Sequence, residues 1–335
     1  MKYKYYVGID VSKLTLDFSV VFAGKVVFFI QTDNNSEGFE KFLVEFCKDY
    51  PFNDLQDLLF CMEHTGIYCN TMIQLQETYG LNLWIETALQ IKRSMGIARG
   101  KNDKIDSFRI ATYAYRFKDK SNIWEVRRPE IRKLKYLLTF RNRIVGIIKS
   151  LKIPLKEIES FEEFSLFSEL EGLHATSIEA LIKDLEALDF QINKLIKEDV
   201  ALNHLNTLIS SVDNVGRIVS AEIIVATNEF KTINVGKKFS CYSGVVPFKH
   251  ESGTSIKGRQ RVSHMANKNM KSLLHMSAMS AISRPGEMRE YYQRKVSEGK
   301  NKMSVINAIR NKLVLRVFAC VRDGKLYEKN YEYQP

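Results

Sequence analysis

The chain has 335 residues, a net charge of +11, 45% hydrophobic residues, 17 glycines and only 6 prolines. That length accommodates two or three domains with real cores, and the scarcity of glycine and proline argues against long disordered stretches. The positive balance favours a polyanionic partner, while five cysteines without a CxxC pair or zinc spacing argue against a disulfide framework and fit a reducing cytosol.

In chain order, the opening MKYKYYVGIDVSK is interrupted by Asp10 and Lys13 and is not expected to act as a signal peptide. YYVGIDV, LTLDFSVVF and KVVFFIQT read as three consecutive strands, the last two joined at Ala23-Gly24. SEGFEKFLVEFCKDY carries Phe39, Phe42, Leu43 and Phe46 at helical spacing. DLLFCME reads as a buried strand, GIYCNTMIQLQETYG as a helix ending at Gly80, and LNLWIET as another strand. Helices near 88–97 and 103–117 follow. Meandering strands followed by alternating helix and strand predict an α/β domain with a mixed sheet over residues 1–122.

Residues 123–205 have a different character. From Arg127 to Lys156 there are ten Lys or Arg and a single acid, Glu130. Leu134, Leu138, Val145 and Ile148 form one apolar stripe, which leaves Arg132, Lys135, Arg141, Arg143 and Lys149 for other faces and for phosphate. Thr176 and Glu179 read as a capping box opening a second helix. Its series Ile178, Leu181, Leu185, Leu188, Ile192, Leu195, Asp199, Leu202 alternates steps of three and four, which predicts a coiled-coil arm.

Residues 206–335 read as a compact, mainly helical domain. LISSVDNVGRIVSAEIIVAT suggests a helical hairpin turning at Gly216, followed by a loop-rich basic stretch from Tyr242 to Asn269. Helices are expected near 269–282, 287–298 and 302–321, with Met270, Met276, Met279 and Met288 as core filler.

Chemistry concentrates at acids in unusual places. Asp10 stands in an apolar strand, where a carboxylate costs several kcal/mol unless it is neutralised, and Glu63 ends another such strand. Asp103 and Asp106 lie about one helical turn apart within the basic run ARGKNDKIDSFRIA. Helix-start chemistry alone explains such a pair, since Asn102 can cap and the dipole favours acids in the first turn. Together with Asp10 and Glu63, however, four carboxylates balance the charge of two Mg²⁺ ions in phosphoryl transfer. Arg99 and Lys101 would then follow a nucleic-acid backbone.

VGIDVSK, MEHTGIY and KNDKIDSFRIA resemble, in order, the D-E-D-D pattern of an insertion-sequence transposase family related to pilin-gene-inverting recombinases. The resemblance implies a Holliday-junction-resolvase-like (RuvC-like, RNase H-type) first domain with Asp10, Glu63, Asp103 and Asp106 as metal-binding catalytic acids. YSGVVPFKHESGTSIKGRQRVSHMANKNMKSLLHMSA resembles the family's C-terminal transposase domain, which implies a serine DNA nucleophile, here Ser252 before Gly253. Lys249, Lys257, Arg259 and Arg261 flank that serine with charge for a pentavalent phosphate. Implied partners are double-stranded target and donor DNA, a structured noncoding bridge RNA, and further copies of the chain as a dimer assembling to a tetramer. The implied setting is the prokaryotic nucleoid.

The family usually reads Ser/Thr-Lys-Arg-Gly-Asn where this chain has Ser263-His264-Met265-Ala266-Asn267, a change at the turn and its phosphate contacts. Glu251 adds an acid beside Ser252, and Ser255 is a second hydroxyl nearby. Actin-like ATPases and sugar kinases share the first domain's fold, but Val11-Ser12-Lys13 lacks their phosphate-cradling glycine turn. A metal-dependent junction endonuclease without serine chemistry and a non-catalytic nucleic-acid scaffold are the remaining alternatives. An endonuclease leaves no covalent protein–DNA species, and a scaffold tolerates loss of all four acids.

Overall fold

The computed structural model describes residues 3–94, 103–161, 163–252, 256–263 and 265–329; for 103, 165, 249–252 and 256–261 it describes backbone only. The chain divides into two compact units, Met1–Val126 and Arg127–Pro335.

The first unit is built on a five-stranded mixed sheet. Strands β1 (Tyr5–Val11), β2 (Thr15–Phe22) and β3 (Lys25–Asp33) form the antiparallel meander read from the sequence. Ala23 and Gly24 both take positive φ, 48° and 80°, the handedness a tight two-residue hairpin requires. Helix α1 (Ser36–Asp49) follows, capped by Asn35, whose side chain accepts from the Gly38 amide at 2.7 Å. Strand β4 (Leu58–Glu63) pairs parallel to β1, helix α2 (Asn70–Tyr79) ends at left-handed Gly80, and β5 (Asn82–Glu86) pairs parallel to β4. The strand order is β3-β2-β1-β4-β5. Short α3 (Ala88–Ser94) and then α4 (Asp103–Arg116) complete the unit's helices.

Strand alternation gives the sheet two faces. On one, Val7, Ile9, Phe18 and Phe60 pack with Phe39, Phe42 and Phe46 of α1, and Phe18 stacks on Phe42 at 4.2 Å between ring centroids. On the other, Tyr6, Leu59, Cys61 and Trp84 pack with Ile110, Ala111 and Ala114 of α4.

The second unit opens with two long helices, α5 (Pro129–Phe161) and α6 (Phe164–Glu198). They run antiparallel, as the Arg141–Asp189 ion pair near their midpoints and the Arg128–Asp199 pair at their base require. Thr176 therefore opens nothing: it lies inside a continuous helix that begins twelve residues earlier, so the capping-box reading is corrected. The apolar series likewise breaks at Asp199, which is the N-cap of α7 (Val200–Ser210) and accepts from the Leu202 amide at 2.8 Å. Leu202 therefore belongs to a different helix.

Helices α8 (Arg217–Thr227) and α9 (Gly236–Tyr242) precede a β-hairpin, β6 (Phe248–Ser252) with β7 (Ile256–Arg261), where the sequence reading expected loop. Its polar, glycine-containing strands lack the apolar alternation by which strands are usually recognised. Helices α10 (Lys268–Ser283), α11 (Glu287–Ser297) and α12 (Lys302–Asp323) close the fold. Ile131, Leu134 and Leu138 of α5 and Ile192 and Ile196 of α6 join the same core as Leu274, Ile309 and Val314. Met270 and Met288 are core residues as expected, but Met276 and Met279 are exposed. Among the described residues no helix is long and apolar enough to cross a membrane.

Candidate active site

The geometry of the first unit begins with Gly8. A Cβ placed there would lie 2.1 Å from the Ala111 amide nitrogen and 2.2 Å from the Ser107 carbonyl oxygen, both backbone atoms of α4. Glycine thus lets α4 rest directly on β1. The Ser107 side chain also shares a buried 2.8 Å hydrogen bond with that of Ser19 of β2. These two contacts fix the first turn of α4, which carries Asp106, across one end of the sheet.

At that end the strand register lines up carboxylates. The β1–β4 ladder pairs Gly8 with Cys61 and Ile9 with Met62, so the next step sets Asp10 beside Glu63. Asp10 is also opposite Asp17 of β2, and Glu63 is opposite Glu86 of β5. By alternation all four belong to the α4 side of the sheet, the side of Tyr6, Cys61 and Trp84. Asp10 and Glu63 are half-buried. Burial and then the Asp106 charge hold the Glu63 carboxyl above its ordinary range, which brings Asp106 of α4 into the same group. Asp106 itself pairs with Arg109 at 2.9 Å. Asp103 starts α4, as the spacing predicted, but its side chain lies outside the described residues.

Asp17 and Glu86 escaped the sequence reading, although their signal was the one that singled out Asp10 and Glu63: an acid within or ending an apolar strand. Asp17 is buried and accepts from the Gln31 amide at 3.0 and 3.2 Å. Glu86 accepts from the Thr87 amide at 2.8 Å and from the Tyr113 hydroxyl at 3.4 Å. Burial, followed by the Glu86 charge, pushes the Tyr113 phenol up to about 12. Burial also raises the Cys61 thiol, with Glu86 and Glu63 adding to the shift, so this cysteine is an inert neighbour rather than a nucleophile.

Among the described residues no three His, Cys, Asp or Glu side chains are grouped closely enough to hold a metal ion together. The donor chemistry nonetheless fits a hard divalent cation. Every donor is a carboxylate oxygen, the ligand type that hard divalent cations take.

In the second unit Ser252 ends β6, its backbone in register with Ile256, and Glu251 is in register with Lys257. The side chains of Ser252, Lys249, Lys257, Arg259 and Arg261 lie outside the described residues, as do Ser255, Arg99 and Lys101 entirely. On α5, Arg143 is exposed over the Phe140 ring, 5.5 Å from its centroid, and Lys149 is exposed. Arg141 instead bonds Asp189 of α6 through Nε at 2.6 Å and Nη2 at 3.3 Å. Arg132 is half-buried, and Lys135 borders a cleft.

Comparison with known proteins bears on both units. A family model described as "Transposase", of the DEDD type of IS110 elements, matches residues 7–158. A second, described as "Transposase IS116/IS110/IS902 family", matches residues 206–293. The chain is 26% identical to the pilin gene-inverting protein of Moraxella bovis over 330 residues, 97% of this chain and 98% of that protein. The counterpart from Moraxella lacunata is 25% identical over the same spans. An uncharacterized 43.6 kDa protein of insertion element IS110 from Streptomyces coelicolor is 27% identical over 154 residues, 46% of this chain and 37% of that protein. With the DEDD model over the acid-bearing sheet, the second model over the hairpin domain and relatives aligned almost end to end, the chain belongs to the IS110/IS116/IS902 family of transposases.

Proposed function

We propose that this transposase cuts and rejoins target and donor DNA through Ser252, assisted by Mg²⁺ held at Asp10, Glu63, Asp103 and Asp106. The observation that carries the acidic half of this reading is the register of Asp10 beside Glu63 at strand ends covered by α4. A bound Mg²⁺ supplies Lewis-acid stabilisation of charge on the phosphoryl oxygens. The chain's own residues do the rest. Gly8 and the Ser19–Ser107 bond hold Asp106 over the strand ends beside Glu63. In the reaction, the Ser252 hydroxyl oxygen bonds to phosphorus, the P–O bond to the leaving strand breaks, and the serine proton passes to the departing oxygen. An incoming strand hydroxyl reverses the step and restores serine. The phosphodiester energy is kept in the phosphoserine link, so rejoining needs no ATP.

The division into residues 1–122, 123–205 and 206–335 assigns these steps to a catalytic domain, a coiled-coil arm and a serine-bearing domain. Arg132, Lys135, Arg143 and Lys149, with Arg99 and Lys101, contact nucleic-acid phosphates, including those of a noncoding bridge RNA that selects the DNA by base pairing. The working form is a homo-oligomer, a dimer assembling to a tetramer, acting on the nucleoid in the cytoplasm. Lys249, Lys257, Arg259 and Arg261 hold the scissile phosphate.

A stalled substrate, nicked beside the scissile bond, tests the serine chemistry. The parent protein should leave a protein–DNA adduct that survives a denaturing gel, and Ser252→Ala should lose adduct and recombination together while still binding DNA and RNA. The same row of acids suits a metal-dependent junction endonuclease. Cleavage by Ser252→Ala without any adduct in the parent establishes that reading instead, whereas an adduct persisting in Ser252→Ala moves the nucleophile, with Ser255 the first residue to examine.

A further inference from the structure

A cleft of about 360 Å³ in the second unit is lined by one of the phosphate-contacting cations named above, Lys135, and by neither the four acids nor Ser252. It lies among α5, α8, α9 and the first turn of α10, and its size falls within the roughly 300–1,000 Å³ range of small-ligand pockets. Its chemistry is divided. Leu138, Val225 and Met270, all buried, give it an apolar side. Arg127 and Lys135 bring two positive charges to the rim. The acid of the cleft, Glu222, is occupied by two amides: Asn142 donates to it at 2.8 Å and Asn269 at 3.0 Å. Asn267, the N-cap of the sixteen-residue α10, donates to the Tyr242 hydroxyl at 2.7 Å.

The two cations repel each other. Burial lowers the Arg127 guanidinium, and desolvation together with the Arg127 charge lowers the Lys135 ammonium, although the residue as a whole is exposed. Lys135 makes no ion pair among the described residues. An incoming anion would meet both charges at this rim, and the N-terminus of α10 adds positive potential on the same side. An anion alone leaves the apolar wall and the Tyr242–Asn267 pair unused. A phosphate carrying a planar, hydrogen-bonding ring uses every part of the lining.

We propose that this cleft holds one nucleotide of a nucleic-acid strand, its phosphate at Arg127 and Lys135 and its base against Leu138, Val225 and Met270. The proposal rests on the reading of the chain as a nucleic-acid recombinase and adds a site to it. Ribose and deoxyribose strands share the recognised chemistry, so the experiment carries an arm for each.

The experiment is calorimetric titration of the full chain with ribonucleoside and deoxyribonucleoside 5′-monophosphates, the matching nucleosides, and inorganic phosphate. Nucleotides should bind more tightly than either fragment. Lys135→Gln should weaken nucleotide binding by about tenfold, the scale of one lost charge-assisted hydrogen bond, and leave nucleoside binding unchanged. Asn269→Asp, at an exposed position, should weaken it as well by placing a negative charge at the rim, and both variants should retain the parent's circular dichroism. A ten-nucleotide single strand, as RNA or as DNA, should displace the mononucleotide; the sugar whose strand competes better is the source. No nucleotide binding, equal binding of phosphate and nucleotide, or binding indifferent to Lys135→Gln overturns the site. A nucleotide that neither strand displaces overturns the strand assignment. A parent protein that recombines DNA yet binds no nucleotide refutes the cleft alone. Lys135-dependent nucleotide binding in a protein that does not recombine refutes the recombinase reading and spares the cleft.

Discussion

In the first unit, Asp10, Asp17, Glu63 and Glu86 are placed by strand register, each on a neighbouring strand and all on the side that α4 covers. In the second unit, the cations on α5 and just before it are placed by local chain geometry alone, and the structure commits two of them to its own acids. Arg141 bonds Asp189, and Arg128 gathers Asp199 and Glu229. The contrast separates two meanings of a charge run. Backbone pairing cannot move an acid off the end of a strand, so acids placed there stay on neighbouring strands and the same face. A long basic side chain on a helix is free to choose a partner, so its sequence position states little about its task.

Five substitutions probe this contrast. Asp10→Asn removes a register-fixed carboxylate, so strand cleavage should fall by about a thousandfold or more while nucleic-acid affinity stays within severalfold. Recombination near the parent level with Mg²⁺ present would remove the acids from the mechanism.

Gly8→Val attacks the support rather than the acids. Its Cβ meets backbone atoms of α4 at 2.1 and 2.2 Å, and backbone cannot rotate away. The first unit should lose about 3 kcal/mol in urea unfolding, and cleavage should fall with it. A variant as stable as the parent would mean that α4 lifts from β1 at little cost.

Arg128→Met strands Asp199 and Glu229, whose side chains are 17% and 6% exposed. Removing one partner of a buried pair costs roughly 3–5 kcal/mol, reduced here to about 2 because the Arg128 side chain is one-third exposed. The pH signature has a definite sign. Hydrogen bonds from Arg128 hold the Asp199 carboxyl below its ordinary value. The stabilisation is therefore present above the unfolded value near pH 4 and is lost as pH falls through the lower folded one. Glu229 adds to it: burial raises its carboxyl, but the Arg128 and Lys231 bonds outweigh that and leave it lowered. Thermal melts of Arg128→Met should show a smaller loss of stability below about pH 4 than the parent.

The smallest effect distinguishes two cations of one helix. Arg143→Gln should lower the salt slope of nucleic-acid binding by about one unit, whereas Arg141→Gln should barely change it and cost up to about 1 kcal/mol of stability. Equal salt slopes for the two variants would show that the Arg141–Asp189 pair opens to admit phosphate.

The sequence by itself determined the α/β first unit, its meander, the helix bearing Phe39, Phe42 and Phe46, and the acids Asp10, Glu63 and Asp106, because strand alternation, helical spacing and acids in apolar runs are local signals. Tertiary structure alone decided the rest. Asp17 and Glu86 join the row only through the register of β2 on β1 and of β5 on β4, which the local run of residues does not set. Thr176 has the residue pattern of a helix start yet lies mid-helix, because packing of α6 along α5 overrides a local cap. The hairpin of β6 and β7 is held by backbone hydrogen bonds to which polar side chains give no periodicity. The division of labour among Arg128, Lys135, Arg141 and Arg143 follows from which acids and which cleft the fold brings within reach of each, and one-dimensional spacing carries no record of that.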